Sequence, residues 1–220
     1  MSLAMADYAA RRSTMVDTQV RPSDVTKFPI IDAMMSVPRE IFVPADRREA
    51  AYLGENIDLG GGRVLLEPRT LAKMLDGLDI RGDELVMDVA CAQGYSSAVI
   101  AEMAEAVVAV DEADRLNGAQ ESLGQINADN VILHEGNPAE GAAEHGPYDA
   151  IVVEGGVEEL PAAILDQLKD GGRIACLFME GQLGTVRIGY KIDGRMSWRF
   201  AFNASAPVMP GFEKKRAFTF

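Results

Sequence analysis

From residue 84 onward the chain alternates between short apolar strand patterns and amphipathic helical ones, and a sheet with crossover helices is the architecture that satisfies such an alternation. Glu84 to Val89 reads as a buried strand, Tyr95 to Ala104 as a helix, Ala106 to Val110 as a strand and Ala113 to Leu123 as a helix. Asn130 to His134 is a third strand and Tyr148 to Val153 a fourth, in which Ile151, Val152 and Val153 predict cover on both faces. Pro161 opens a helix with Ile164, Leu165 and Leu168 as its inward stripe, and Gly171-Gly172 ends it. Arg173 to Phe178 is a fifth strand. Thr185 to Ile192 and Met196 to Asn203, joined by Asp193-Gly194, then read as a hairpin. The expectation is an α/β fold: a doubly wound, mostly parallel seven-stranded sheet with a C-terminal antiparallel hairpin.

The first 80 residues have a different texture and read as a helical elaboration packed on the core formed by 81–220. Helical periods run through Ala9 to Gln19 and Asp24 to Ser36, the latter with Ile30, Ile31, Met34 and Met35 as its apolar stripe. Pro38 and Pro44 bracket Arg39-Glu40-Ile41-Phe42-Val43, Gly60-Gly61-Gly62 marks a loop, and Leu71, Met74, Leu75 and Leu78 recur at i, i+3, i+4 and i+7.

Charge and composition narrow the function. With 21 Lys+Arg against 34 Asp+Glu the net charge is -13, which opposes phosphate backbones, and the only basic run is Lys214-Lys215-Arg216, so no nucleic-acid partner is expected. No apolar stretch is long enough to cross a membrane and Asp7, Arg11 and Arg12 interrupt any leader-like region, which predicts a cytoplasmic protein with no membrane partner. Cys91 and Cys176 lack metal-ligand spacing, and His134 and His145 have no Cys or His beside them, so no metal site is expected.

A parallel sheet binds ligands beyond the carboxyl ends of its strands, first of all at the turn after the first strand. Here that turn is Asp88-Val89-Ala90-Cys91-Ala92-Gln93-Gly94-Tyr95, whose small residues allow close backbone approach. Asp111 ends the second strand 21 residues after Ala90, close to the offset at which a carboxylate accepts both ribose hydroxyls. The G-x-G-x-x-G phosphate fingerprint is absent, and Asp88 would repel a pyrophosphate while facing a cationic amine or sulfonium. S-adenosylmethionine is a ligand of that kind. The same residues have a structural reading that stays open at this point: tight helix–sheet packing at Ala90, Ala92 and Gly94, and a helix N-cap at Asp111.

Several segments occur in the order seen in protein-L-isoaspartate O-methyltransferases, which this chain resembles over roughly residues 10 to 180. They are Met15-Val16-Asp17-Thr18-Gln19-Val20, Val37-Pro38-Arg39-Glu40-Ile41-Phe42-Val43-Pro44, Ala51-Tyr52, the Gly62 to Pro68 loop, Asp88 to Ala101, and Pro147-Tyr148-Asp149-Ala150-Ile151-Val152-Val153. Leu165-Asp166-Gln167-Leu168-Lys169-Asp170-Gly171-Gly172 continues the series, and the V-P-R-E-x-F-V-P segment is its most specific part. The resemblance implies a Rossmann-like methyltransferase that moves a methyl group from S-adenosylmethionine to the free carboxylate of isoaspartyl residues in damaged proteins or peptides. It places Asp88, Val89, Ala90, Cys91, Gln93, Gly94, Tyr95, Asp111, Glu112, Asn137 and Glu154 around the cofactor, and the loop Arg63, Val64, Leu65, Leu66 and Glu67 at the acceptor.

The chain departs from the family pattern at both ends of that reaction. Leu66 stands where a serine would hydrogen-bond the acceptor carboxylate, and an inward-pointing Glu67 would repel an anion, which leaves Arg63 as the nearest replacement anion-binding group. Ala90 and Ala92 replace the first two glycines of acid-x-G-x-G-x-G, with a strain of about 1–3 kcal/mol wherever the backbone needs φ > 0. The family's G-D becomes Gly136-Asn137, whose amide still suits an adenine edge. Three readings follow: the isoaspartyl enzyme, a methyltransferase with a different and less anionic acceptor, or a non-catalytic descendant.

Overall fold

The computed structural model describes residues 3–214, so Lys215 and Arg216 of the basic run lie outside the described residues. Helix α1 (Leu3–Met15) continues into a wide turn at Val16–Val20 that buries both valines. Helix α2 (Phe28–Ser36) begins four residues after Asp24, where the helical period was expected to start, because Asp24 adopts a left-handed conformation and Pro29 sets the first turn. Short 3-10 turns follow at Arg39–Phe42 and Ala45–Ala50. The triglycine expected as a loop is the tip of a small antiparallel hairpin, β1 (Ile57–Gly60) and β2 (Arg63–Leu65), with all three glycines at positive φ. Helix α3 (Pro68–Leu78) buries Leu71, Met74, Leu75 and Leu78 completely, as its periodicity predicted, at about 1.5–3 kcal/mol per side chain.

Seven strands form the main sheet: β3 (Leu85–Val89), β4 (Ala106–Asp111), β5 (Val131–Glu135), β6 (Tyr148–Val157), β7 (Leu168–Glu180), β8 (Leu183–Ile192) and β9 (Arg195–Asn203). Their order is β5-β4-β3-β6-β7-β8-β9, parallel through β7 and antiparallel thereafter. Val86, Val107, Ala150 and Val152 enter one apolar cluster and Met87, Val89, Val108, Ile151 and Val153 the other, so the two-residue period of each strand feeds a core on both faces. The first cluster also takes in Met15, Met34, Phe42, Leu66 and Leu75, and the N-terminal elements therefore share one core with the sheet. Asp193 and Gly194 both have positive φ, the geometry that a tight β8–β9 turn requires.

Two further helices differ from expectation. Helix α4 (Tyr95–Ala101) lies where predicted, but α5 (Ala119–Gln125) starts six residues later than the apolar pattern, after Gly118 at φ +85. Helix α6 (Ala162–Asp166) is short, and Gly171-Gly172 does not end it: β7 has already begun by pairing Leu168 with Tyr148, and the glycines sit in the irregular stretch before Arg173 rejoins the ladder. After β9 the chain returns across the sheet end, where the Gly156 N–H donates to the Pro207 carbonyl at 3.0 Å and the Met209 N–H to the Gly156 carbonyl at 2.9 Å. A Cβ at Gly156 would lie 2.7 Å from the Pro207 carbonyl oxygen, so only glycine admits that crossing.

Candidate functional site

The order of the parallel strands reverses at β3, which lies between β4 and β6, and the crevice beyond their carboxyl ends is where a ligand site is expected. The turn leaving β3 has the shape that the alternating small residues implied. Ala90, Ala92 and Gly94 stand at φ +67, +51 and +88, so both alanines occupy left-handed backbone at about 1–2 kcal/mol each. Asp88 is fully buried, its Oδ2 accepting hydrogen bonds from the Ser96 and Ser97 hydroxyls at 2.6 Å each while Oδ1 has no partner. Glu154, expected at the end of the fourth strand but three residues inside β6, is 3% exposed and also has an unpartnered oxygen, Oε1.

Burial governs the electrostatics of this pair. It pushes the Asp88 carboxyl up to about 6, with the two serine hydroxyls acting in the other direction. Glu154 is raised well above the usual carboxylate range, first by burial and then by the charge of Asp88, although Arg39 and Arg63 pull it down. Cys91 is raised as well by burial and by Asp88, which leaves an unreactive thiol in the turn. Arg39, in the V-P-R-E-x-F-V-P segment, is a buried strut. It donates from Nε to Ala51 O and from Nη2 to Leu66 O, both at 2.7 Å, and lies over the Tyr95 ring at 4.6 Å.

The ribose carboxylate expected at Asp111 is where predicted, at the end of β4, and it is occupied by the protein itself. Arg63 approaches it as a fork, Nη1 to Oδ1 at 2.9 Å and Nη2 to Oδ2 at 2.5 Å, and Nη2 also donates to Ala90 O at 2.7 Å. The Ala92 and Glu112 backbone N–H groups donate to Asp111 Oδ2 and Oδ1 at 2.7 and 2.9 Å. A carboxylate has about four acceptor positions, and the four donors fill them. Asp111 is 0% exposed and Arg63 5%. Burial alone would weaken the Arg63 proton, but the hydrogen bonds and charge of Asp111 outweigh it and raise the guanidinium above its ordinary value.

The acceptor loop therefore needs correction. Val64, Leu65 and Leu66 are buried in the core rather than facing an acceptor, because β2 pairs with β1 and Arg39 holds the Leu66 carbonyl. Glu67 does not point into the crevice: it accepts from Thr70 Oγ1 at 2.7 Å at the start of α3. Arg63 faces Asp111 and is not available to an acceptor anion. At the flanks, Gln93 lines a groove of about 430 Å³ with Arg48, Glu121 and Gln125, and the Asn137 amide donates to Glu140 Oε1 at 3.1 Å while lining a second groove. Val89 and Tyr95 are buried packing residues, and the Glu112 side chain is exposed at the rim. The two histidines, which spacing gave no reason to associate, meet through Glu144.

The family model for protein-L-isoaspartate(D-aspartate) O-methyltransferase matches residues 10–187. A protein-L-isoaspartate O-methyltransferase of Syntrophus aciditrophicus (strain SB) is 34% identical over 171 residues, 77% of this chain and 78% of that protein. Protein-L-isoaspartate O-methyltransferase 2 of Anaeromyxobacter sp. (strain Fw109-5) is 36% identical over 178 residues, 80% of this chain and 72% of that protein. Among solved structures, a protein-L-isoaspartate O-methyltransferase superposes with TM-score 0.79 at 21% identity, covering 92% of this chain and 67% of the other. A Plasmodium falciparum putative protein-L-isoaspartate O-methyltransferase in complex with S-adenosyl-L-homocysteine superposes with TM-score 0.76 at 17% identity, covering 93% and 98%. These two share the fold. The matched span and the identity to the curated relatives together place this chain in the protein-L-isoaspartate(D-aspartate) O-methyltransferase family.

Proposed function

We propose that this chain is an S-adenosylmethionine-dependent carboxyl O-methyltransferase of the isoaspartyl type, acting in the cytoplasm on the free carboxylate of isoaspartyl residues in damaged proteins. Family membership supports the reaction class. One observation brings it to this chain: Asp88 and Glu154, buried at the strand-order reversal, each keep a carboxylate oxygen without a partner. Buried anions without hydrogen bonds are expensive, and a cationic ligand that neutralises them removes that expense. The cofactor carries an ammonium and a sulfonium, and when bound it supplies an electrophilic methyl group. The free, buried Cys91 and Cys176 suit a reducing compartment, and among the described residues no helix is long and apolar enough to cross a membrane.

In this reading the residues position rather than activate. An ionised acceptor carboxylate is already a nucleophile, so the site must orient it and exclude water. Without a cation beside it, burial and the charge of Asp88 favour the neutral form of Glu154, and a cationic ligand placed against the pair would favour its ionised form. Asp88 and Glu154 would face the cationic half of the cofactor, Asp111 or Glu112 the ribose and Asn137 the adenine edge. The cationic half fits the acid pair, whereas the ribose finds the acceptor positions of Asp111 filled by Arg63 and two backbone amides.

The test is transfer of a labelled methyl group to an isoaspartyl peptide, with the matching aspartyl peptide as control. A base-labile ester on the isoaspartyl peptide alone supports the assignment. Labelling of neither peptide, by protein shown to bind the cofactor, moves the acceptor to another compound, the reading that the buried and hydroxyl-free Leu66 favours. Absence of cofactor binding leaves the non-catalytic reading.

A further inference from the structure

We propose that Arg63 is an internal competitor for the cofactor: its guanidinium holds the ribose carboxylate Asp111, and the nucleoside enters only when Arg63 withdraws. The inference rests on the methyl-donor reading above and adds a closed state to it. Three observations carry it. The Arg63 fork and two backbone amides fill Asp111, leaving no lone pair for a ribose diol. Arg63 also bonds Ala90 O, so the same side chain lies across the cofactor turn. Its neighbourhood is incompletely satisfied, with Arg63 Nε, Asp88 Oδ1 and Glu154 Oε1 all buried and unpartnered, which marks an arrangement that a ligand can improve on.

Withdrawal needs only the Arg63 side chain to swing, because Val64 and Leu65 hold its hairpin in the core. The hairpin is a two-stranded sheet separate from the main one, and its tip is three consecutive glycines at positive φ. Arg115, which donates to Leu59 O at 2.8 Å, ties its other strand to the segment after β4. An alternative resting place for the guanidinium lies next to Asp111 at the exposed Glu112 carboxylate, whose charge Arg63 already senses. The cofactor affinity is then reduced by the fraction of molecules with Arg63 on Asp111.

Calorimetric titration with S-adenosylhomocysteine tests this directly. R63M, which keeps an unbranched stem and removes the fork, is expected to bind at least tenfold more tightly than wild type, with a correspondingly larger ligand-induced rise in melting temperature. R63K retains the charge without the fork and should fall between them, and it substitutes for R63M if that variant does not fold. E112Q removes the alternative partner, and its effect on binding is expected to be about threefold larger in the wild-type background than in R63M, where only a direct contact of Glu112 with the ribose remains; a purely structural arginine would give the same effect in both. Equal or weaker binding by folded R63M overturns the proposal and leaves the methyl-donor reading standing. No binding by any folded variant at millimolar ligand overturns both.

A separate observation points to a metal site. We infer that His134, Glu144 and His145 bind a zinc-class divalent ion at the sheet edge. These are the chain's two histidines, one at the end of β5 and one in the turn Ala143–His145. His134 Nδ1 and His145 Nε2 lie 3.3 and 3.4 Å from the same oxygen, Glu144 Oε1, and the three ligand atoms fall within 4.8 Å of one another. Charge-assisted N–H···O bonds are shorter, about 2.7–2.9 Å, whereas metal bonds of about 2.0–2.1 Å in a tetrahedron set neighbouring ligands about 3.3–3.4 Å apart. Three protein ligands leave a fourth position for water. Titration of chelator-treated protein with zinc chloride should give one micromolar site that H134Q and H145Q each weaken at least tenfold. No heat at 100 µM zinc, or a site that survives both substitutions, overturns the assignment.

Discussion

Asp88 allows the energetic expense of the crevice to be measured. Its carboxyl is raised from an ordinary 3.8 to about 6 chiefly because burial disfavours the charge, and only one of its oxygens is hydrogen-bonded. That gap corresponds to about 3 kcal/mol of stability missing at neutral pH. For a raised carboxyl the sign is fixed: the stabilising protonated state is fully present below the unfolded value, and the contribution is lost as pH rises to the folded value. D88N keeps the shape, leaves an amide oxygen for the Ser96 and Ser97 hydroxyls, and turns an N–H toward the space where Oδ1 had no partner. It should therefore match the wild type near pH 4, gain about half of the full effect by pH 5, and level off at about 3 kcal/mol above pH 6.5. For a chain of this size that plateau is a rise of about 6–12 °C in melting temperature. Paired urea and thermal unfolding of the two proteins from pH 4 to 8 measure the difference at each pH, so that groups not coupled to Asp88 cancel and only Glu154, which the Asp88 charge raises, adds to it. A gain that is independent of pH, or a D88N protein less stable than wild type at pH 7.5, would refute the account. The same variant should lose affinity for cationic ligands, since the acid is retained against its effect on stability.

Three further outcomes are expected. L66S places a hydroxyl at a fully buried core position and should lower stability by about 2–4 kcal/mol in denaturant unfolding, without raising the rate of methylation of an isoaspartyl peptide. A90G and A92G relieve left-handed strain but remove buried methyls and loosen the unfolded chain, so each should change stability by less than about 1 kcal/mol while cofactor affinity rises. R173A removes the fork to Glu84, at 2.6 and 2.8 Å, and the bonds that tie it to the Leu78 and Asp79 carbonyls at the end of α3. It should cost about 3 kcal/mol at pH 7. Glu84, which burial raises but Arg173 lowers further, is held below its ordinary value, so that wild-type advantage should fade as pH drops below about 4.

The sequence was informative where local chemistry decided the structure. The strand cores, the Asp193-Gly194 turn and the buried stripe of α3 follow from periodicity and backbone preference, whereas the positive φ of Ala90 and Ala92 was only a condition that the structure meets. The positions of Asp88 and Asp111 were legible because the fold rule assigns carboxyl ends of strands to ligands, and both lie at or beside a strand end, whereas β6 runs three residues past Glu154. What it did not convey depends on contacts across the chain. Arg63 meets Asp111 over a separation of 48 residues, and Arg39 reaches Leu66 over 27. A solvated loop arginine and a buried fork have the same letter. The spacing of Gly171-Gly172 resembles a helix stop because the Leu168–Tyr148 pairing that makes it part of a strand is invisible locally.

The substitutions in the cofactor turn and the arrival of Arg63 form one unit. Ala90 supplies the carbonyl that Arg63 Nη2 bonds, and Ala92 supplies the N–H that shares Asp111 Oδ2 with the same nitrogen. A turn with alanines is stiffer than one with glycines, so it presents those two groups in a fixed frame, and its methyls narrow the space that a nucleoside needs. Relaxing the turn alone therefore leaves Asp111 filled, and removing the fork alone leaves the turn narrow. R63M combined with A90G and A92G should accordingly raise S-adenosylhomocysteine affinity by more than the product of the separate effects, with a coupling of about 1 kcal/mol or more, as expected for groups within one hydrogen-bond network. Simple additivity, measured by the same calorimetric titration, would show instead that the turn and the arginine changed independently.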